Sequence, residues 1–407
     1  MRVLWFSLTP SNFATQVGGY NGCGWVSSLE SAVAARGDVE LGVAFLHPST
    51  CGKAKQGNVT YYPMRRPQSP FAKVDRFFRI AAQDKRELAL CKRVVDDFQP
   101  DIIQVFGTES SFGLLARVTD VPVVIHLQGL MGPYLNAWVP PGYRMWDYAR
   151  RGSWNPFKVA LGIRAIAFNR HAAAREREIV RSCKAFLGRT EWDRSFVSLY
   201  APQAKYFTCW EALRPCFYEP GKWTPPSRPV FVSTISSPLY KGHDMVLKTA
   251  RLLKDSGLDG FVWLVFGVSN LSLAERKTGI RAADVGVRPL GVATAEQLRD
   301  ALLHASVYVH PSYIDNSPNS ICEAQVLGVP IVATNVGGDG SLFSEDRADC
   351  LVPANDPTMA ACRILEALHE PDHFISDRTA CLARHDRSRI CENLIGIYRE
   401  LVDTHRS

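Results

Sequence analysis

A chain of 407 residues, 46% hydrophobic and 21% charged, carries enough apolar surface for two ordinary cores, which excludes a disordered or fibrous polypeptide. The formal net charge of +7 favours anionic partners without choosing among phosphate, nucleic acid and lipid, and no zinc-finger spacing or aromatic RNA-binding motif accompanies it. Eleven cysteines stand singly with no C-x-x-C pair, the usage of reduced structural thiols in a cytoplasmic protein and not of a zinc site.

The opening MRVLWFSLTP reads as a strand entering a loop, since its apolar run is shorter than that of a secretory signal and lacks a small-residue cleavage site. No uninterrupted apolar stretch reaches the roughly 18–20 residues needed to cross a bilayer. Short apolar runs then alternate with Gly/Pro-bearing loops and longer segments of helical period, the pattern of parallel strands with crossover helices. Strands are predicted at Val3–Leu8, Val39–Leu46, Ile102–Phe106, Val121–Leu127 and Ala185–Gly188, with helices at Trp25–Ala35, Leu88–Asp97 and much of Lys158–Arg181. The strand ending at Gly107 delivers Thr108 and Glu109 to the C-terminal edge of a sheet, where open α/β folds bind ligands.

Four prolines between Glu219 and Pro229 interrupt regular structure and mark a linker over 219–229. The expected organisation is an N-terminal Rossmann-like domain, 1–218, and a C-terminal one, 230–384, with the segment 385–407 returning as a helix to brace the first. The second domain reads as strand Val230–Ile235, helix Lys241–Leu253, strand Phe261–Gly267, a helix near Ala295–His304, strand Ser306–His310, helix Ser320–Leu327 and strand Pro330–Thr334. The last helix is predicted near Cys391–Val402.

The strongest constellation follows the strand Val307-Tyr-Val-His310: a loop carrying Asp315, Asn316, Ser317, Pro318 and Asn319 feeds a helix beginning near Ser320, with Glu323 in its first turn. A helix N-terminus offers backbone N–H groups and positive potential to a diphosphate. An ionised Glu can accept hydrogen bonds from both ribose hydroxyls. Ser320 and Glu323 also have the Ser-x-x-Glu spacing of a capping box, so two roles fit Glu323 equally at this point.

Asp315-Asn-Ser-Pro-Asn-Ser-Ile-Cys-Glu323 and the continuing Ala324-Gln-Val-Leu-Gly-Val-Pro resemble the E-x(7)-E region of the retaining nucleotide-sugar glycosyltransferases of glycosyltransferase family 4, with the first acid replaced by Asp. The resemblance implies the GT-B fold, an α/β architecture of two Rossmann-like domains facing a cleft. It implies transfer of a hexose or related sugar from a nucleoside-diphosphate sugar, such as a UDP- or GDP-sugar, to a glycan, polysaccharide precursor or lipid-linked acceptor. By resemblance Asp315 contacts the donor sugar, Asn316 through Ser320 approach its phosphates, and Glu323 holds the ribose. Lys241, in Lys241-Gly-His-Asp244, matches the donor-phosphate lysine; a solvated lysine beside a helix start explains the same residue. Where relatives often carry an Arg, about five residues earlier, this chain has Ser236.

In the N-terminal half, Gly18 and Gly19 open a glycine-bearing loop that resembles the family's loop near the donor, and a plain turn also accounts for it. His126 ends a strand and resembles the family histidine beside the transferred sugar; a satisfied core histidine is the other reading. Glu109 faces an acceptor or caps a helix, and Arg189 contacts phosphate or acceptor. No D-x-D element is present, so no metal and no cofactor beyond the donor substrate are expected. The segment 157–184 carries a net charge of +5. That suits an anionic inner-membrane surface, or a basic helix that merely packs Val159 and Ile163 inward. The competing functions are a sugar-nucleotide epimerase or phosphorylase of the same fold and a non-catalytic sugar-nucleotide binding protein.

Overall fold

Near-continuous apolar runs such as Val3-Leu-Trp-Phe6 and Phe231-Val232 are buried on both faces, as strands of parallel sheets covered by helices must be. In the computed structural model, residues 1–13, 24–48, 52–66, 79–150, 155–219 and 221–407 are described. Gly18 and Gly19 lie outside them. The chain forms two units: residues 1–135, 164–212 and 385–407 make the first, and residues 136–163 and 213–384 the second. The division therefore falls at 212/213 rather than after 218, and residues 136–163, expected in the N-terminal domain, belong with the second unit.

The first unit is built on strands β1 (Arg2–Ser7), β2 (Glu40–Leu46), β3 (Ala54–Gln56), β4 (Val59–Met64), β5 (Ile102–Phe106), β6 (Val123–His126), β7 (Ala185–Gly188) and β8 (Lys205–Thr208). Their order in the sheet is β3-β4-β2-β1-β5-β6-β7-β8, parallel throughout except for the β3–β4 pair. The helix Ile80–Phe98 starts eight residues earlier than its predicted core and stops at Gln99, whose left-handed φ of 50° lets its N–H cap the Val95 carbonyl at 2.8 Å. The C-terminal helix Arg387–Arg406 buries Ile390, Leu394, Tyr398 and Leu401 in the same core as Trp5 and Trp25. There the Tyr398 hydroxyl accepts from Trp5 Nε1 at 2.9 Å and donates to Gln104 Oε1.

The second unit holds β9 (Val230–Thr234), β10 (Val262–Phe266), β11 (Val287–Gly291), β12 (Val307–His310), β13 (Ile331–Thr334) and β14 (Leu351–Val352), all parallel in the order β11-β10-β9-β12-β13-β14. Beneath the sheet Trp263 Nε1 donates to Ser233 Oγ at 3.0 Å and that hydroxyl donates to the Val309 carbonyl at 2.6 Å, tying β10, β9 and β12 together. Strand order reverses between β9 and its two neighbours, β10 on one side and β12 on the other. The loops leaving β9 and β12 therefore part at a switch point, where α/β sheets form their ligand crevice. Among the described residues no helix is long and apolar enough to cross a membrane.

Candidate functional site

Two glycines bring the loops of the second unit together. Gly242, at φ 83°, ends the short 3-10 turn Leu239–Lys241, and a Cβ there would sit 2.0 Å from the Pro311 carbonyl oxygen. Gly337, at φ 54°, approaches so closely that a Cβ would lie 1.9 Å from the carbonyl oxygen of Asp315. Tyr313 N–H donates to the Tyr240 carbonyl at 2.7 Å and Gly338 N–H to the Asp315 carbonyl at 3.1 Å, so the loop after β12 is fastened on both sides. Only glycine tolerates positive φ and such approach together.

This packing delivers Lys241 and Asp315 to one another. Lys241 Nζ is ion-paired with Asp315 Oδ2, the same oxygen that His310 Nε2 reaches at 3.1 Å. Burial alone would raise the Asp315 pKa; the Lys241 charge and the His310 hydrogen bond outweigh it and hold the carboxylate well below its ordinary range. His310 is fully enclosed, and burial lowers its pKa despite Asp315. Ser236 is exposed at the end of the loop from β9, and its carbonyl receives His243 Nε2–H at 2.8 Å. Burial lowers the His243 pKa, which leaves that imidazole a neutral donor.

Beyond Asp315 the chain turns through buried Asn316 and Ser317, the latter at φ 48°, into the helix Asn319–Leu327. Pro318 is its N-cap and makes no side-chain cap. Ser320 is the second helical residue, so the capping box with Glu323 does not form. Glu323 is engaged elsewhere: Arg214 Nε and Nη2 each donate to one of its oxygens at 2.8 Å, a bidentate pair. Burial pushes the Glu323 pKa up and this pair pulls it back. Asn319 and Ser320 remain half-buried at the helix N-terminus. A cavity of about 590 Å³ opens beside the same loops, lined by Trp138 and Tyr148 on one wall and Ser237, Gly267, Asn270 and Arg276 on the other.

In the first unit, His126 lies fully buried at the end of β6, its ring 5.1 Å from Trp25 and stacked on Phe106. Burial, aided by the Arg189 charge, lowers its pKa to about 3, so it is neutral at physiological pH. Glu109 folds its carboxylate over Gly107 and accepts from Gly129 N–H at 3.2 Å. Burial lifts its pKa to about 7, with the Glu176 charge adding to the effect. It does not cap the 3-10 turn Ser111–Arg117; the Ser110 hydroxyl does. Arg189 is drawn into a buried pair with Glu211 at 2.6 Å. Sequence reasoning missed Arg214, Asp339 and the position of His310 against Asp315. His310 was visible only as the last residue of a strand, and Asp339 only as a polar residue after a glycine pair.

Residues 226–370 match the family model described as glycosyl transferases group 1. Over 99% of this chain and 100% of the other, the structure is similar to the sucrose-phosphate synthase of Thermosynechococcus elongatus, with a TM-score of 0.73 at 14% identity. It is also similar to Anabaena HepE, described in complex with UDP, with a TM-score of 0.63 at 13% identity over 98% and 100% of the two chains. The fold is thus GT-B, two α/β units around parallel sheets. Among curated proteins, the D-inositol 3-phosphate glycosyltransferase of Salinispora tropica is 31% identical over 184 residues, 41% of this chain and 37% of that protein. The chain spans no more than 37% of the length of the curated relatives it matches.

Proposed function

We propose that the protein transfers a hexose or related sugar from a nucleoside-diphosphate sugar to a hydroxyl of a glycan, polysaccharide precursor or lipid-linked acceptor, with retention of anomeric configuration. The observation that carries the reading is Lys241 on Asp315 at the switch point of the sheet, beside the helix N-terminus of Asn319–Leu327, all inside the segment that matches the family model. Lys241 and the N-terminal N–H groups of Asn319 and Ser320 meet the diphosphate, with Ser236, Asn316, Ser317 and Pro318 shaping its approach. Asp315 engages the donor sugar and Glu323 the ribose, for which Arg214 gives up one of its two hydrogen bonds. His126 serves beside the transferred sugar, and Glu109 and Arg189 serve the acceptor. The bond from the anomeric carbon to the phosphate oxygen breaks as the acceptor oxygen bonds to that carbon, and the acceptor proton passes to the departing diphosphate.

Donor binding is tested by calorimetry with UDP- and GDP-sugars in the presence of a chelator, and transfer by mass spectrometry across an acceptor panel. Binding and transfer without added divalent metal are expected, with Lys241→Ala weakening nucleoside diphosphates more than free sugar. No binding to any donor would remove the reading, and binding without transfer across the panel would favour a non-catalytic role. For the membrane, the helix Pro156–Ser182 leaves Phe157 70% and Ile163 53% exposed beside its basic residues, which supports contact with an anionic lipid surface. Salt-sensitive sedimentation with phosphatidylglycerol vesicles is expected; sedimentation equal to that with neutral vesicles would reject it.

A further inference from the structure

Asp339 is a carboxyl that the donor-site reading leaves without a task. It opens the 3-10 turn after β13, is completely buried, and neither of its oxygens has a hydrogen-bond partner. Such a group is costly even when neutral unless something in its surroundings uses it. Its Oδ2 stands 3.6 Å from His310 Nε2, the same nitrogen that lies 3.1 Å from Asp315 Oδ2. Lys241 is paired with that same Asp315 oxygen. Four titratable groups from four segments thus converge: Lys241 after β9, His310 at the end of β12, Asp315 in the loop beyond it, and Asp339 after β13. Gly337 fixes the spacing, because its own φ of 54° and the 1.9 Å approach of a Cβ to the Asp315 carbonyl leave no room to slide the two loops apart.

One carboxylate oxygen therefore faces two groups able to carry positive charge, and one of them is the lysine assigned to the donor diphosphate. We propose that when Lys241 turns to the diphosphate, His310 takes up a proton from solvent and replaces it as the cation paired with Asp315, while Asp339 stays protonated and presents a neutral carboxyl oxygen to the imidazolium. The inference rests on the donor site assigned above. His310 and Asp339 are positioning residues in it: they keep Asp315 ionised and oriented towards the sugar.

At rest the cluster needs one cation only. Burial, helped by the Asp315 charge, raises Asp339 well above the ordinary carboxylate range, so it is protonated, and burial together with Lys241 keeps His310 neutral. Withdrawing the lysine and bringing in a diphosphate both add negative potential at His310. Each raises its pKa, the direction that binds a proton.

The test is calorimetry of UDP-glucose and GDP-mannose at pH 7.5 in phosphate and in Tris, whose different ionisation enthalpies report the protons exchanged. Sugar nucleotides carry no phosphate that titrates near this pH, so the protein is the source of any difference. Wild-type protein is expected to take up a measurable fraction of one proton. His310→Gln should bind without uptake, whereas Asp339→Asn, which keeps a neutral oxygen in the carboxyl's place, should take up as much as wild type. Nitrogen-15 histidine spectra of the wild-type protein give a readout that needs no variant: the His310 ring should pass from neutral to imidazolium on adding donor. Binding with equal enthalpies in both buffers, or a ring that stays neutral, overturns the counter-ion exchange and leaves the donor site standing. Absence of binding by both donors overturns the donor site instead.

Discussion

Glu323 is where a structural and a chemical demand fall on one side chain. The carboxylate is almost fully buried and is neutralised by Arg214, 109 residues away in sequence. No local pattern announces such a partner; the Ser-x-x-Glu spacing pointed to a cap because a capping box is written within four residues, whereas an ion pair across the fold is not. Removing one side of a buried pair costs about 3–5 kcal/mol, since the survivor is left charged and desolvated. Arg214→Ala and Glu323→Ala should therefore both destabilise the second unit, to be read by chemical denaturation. Glu323→Gln keeps one hydrogen bond to Arg214 and should lose less. If Glu323 also holds the ribose, Glu323→Gln in its folded range should bind nucleoside diphosphate about tenfold more weakly, the loss of one charge-assisted hydrogen bond. That deficit should vanish with a donor lacking both ribose hydroxyls. Equal deficits for the two donors would leave Glu323 a purely structural partner of Arg214.

At the scale of elements, the strands that sequence reveals are those buried on both faces: β1, β2, β5, β6, β7, β9, β10, β12 and β13 are mostly apolar and announce themselves. The rest do not. β8 is only half covered, β14 has two residues, and β4 carries Pro63. The helix Glu191–Tyr200 is absent from the expected elements, although Thr190 and Asp193 form a reciprocal cap at its start. The helix Met131–Ala137 has a start that no local reading could find: the N–H groups of Met131 and Gly132 are received by Glu176 at 2.8 Å, from 45 and 44 residues away. The element carrying Lys241 was legible, and its glycine makes it testable. Gly242→Ala forces a side chain into positive φ and against Pro311, a strain of about 1–3 kcal/mol before neighbours move. Lys241 is the adjacent residue, so donor affinity should fall further than the melting temperature predicts. Wild-type affinity together with wild-type melting would show that the Lys241 turn tolerates displacement.

For the whole molecule, the decisive feature is that the chain does not divide at its proline-rich linker into two consecutive folding pieces. The last helix belongs to the first unit, where Tyr398 joins Trp5 and Gln104 and where Ile390, Leu394 and Leu401 complete the core. Its entry is tied down within the first unit by His385 Nδ1 at 2.9 Å from the Glu211 carbonyl oxygen. That placement makes a direct prediction. A shortened chain of residues 1–218 lacks one wall of its core and should unfold without a cooperative transition, whereas residues 1–212 joined by a short Gly/Ser linker to residues 385–407 should regain one. In the full-length chain Tyr398→Phe leaves the Trp5 N–H and the Gln104 side chain without their shared partner, a cost of about 1–3 kcal/mol. Circular dichroism during urea denaturation reads all three proteins. A sharp transition in the 1–218 chain, at the midpoint of the joined one, would mean that the C-terminal helix lies on the first core without helping to form it.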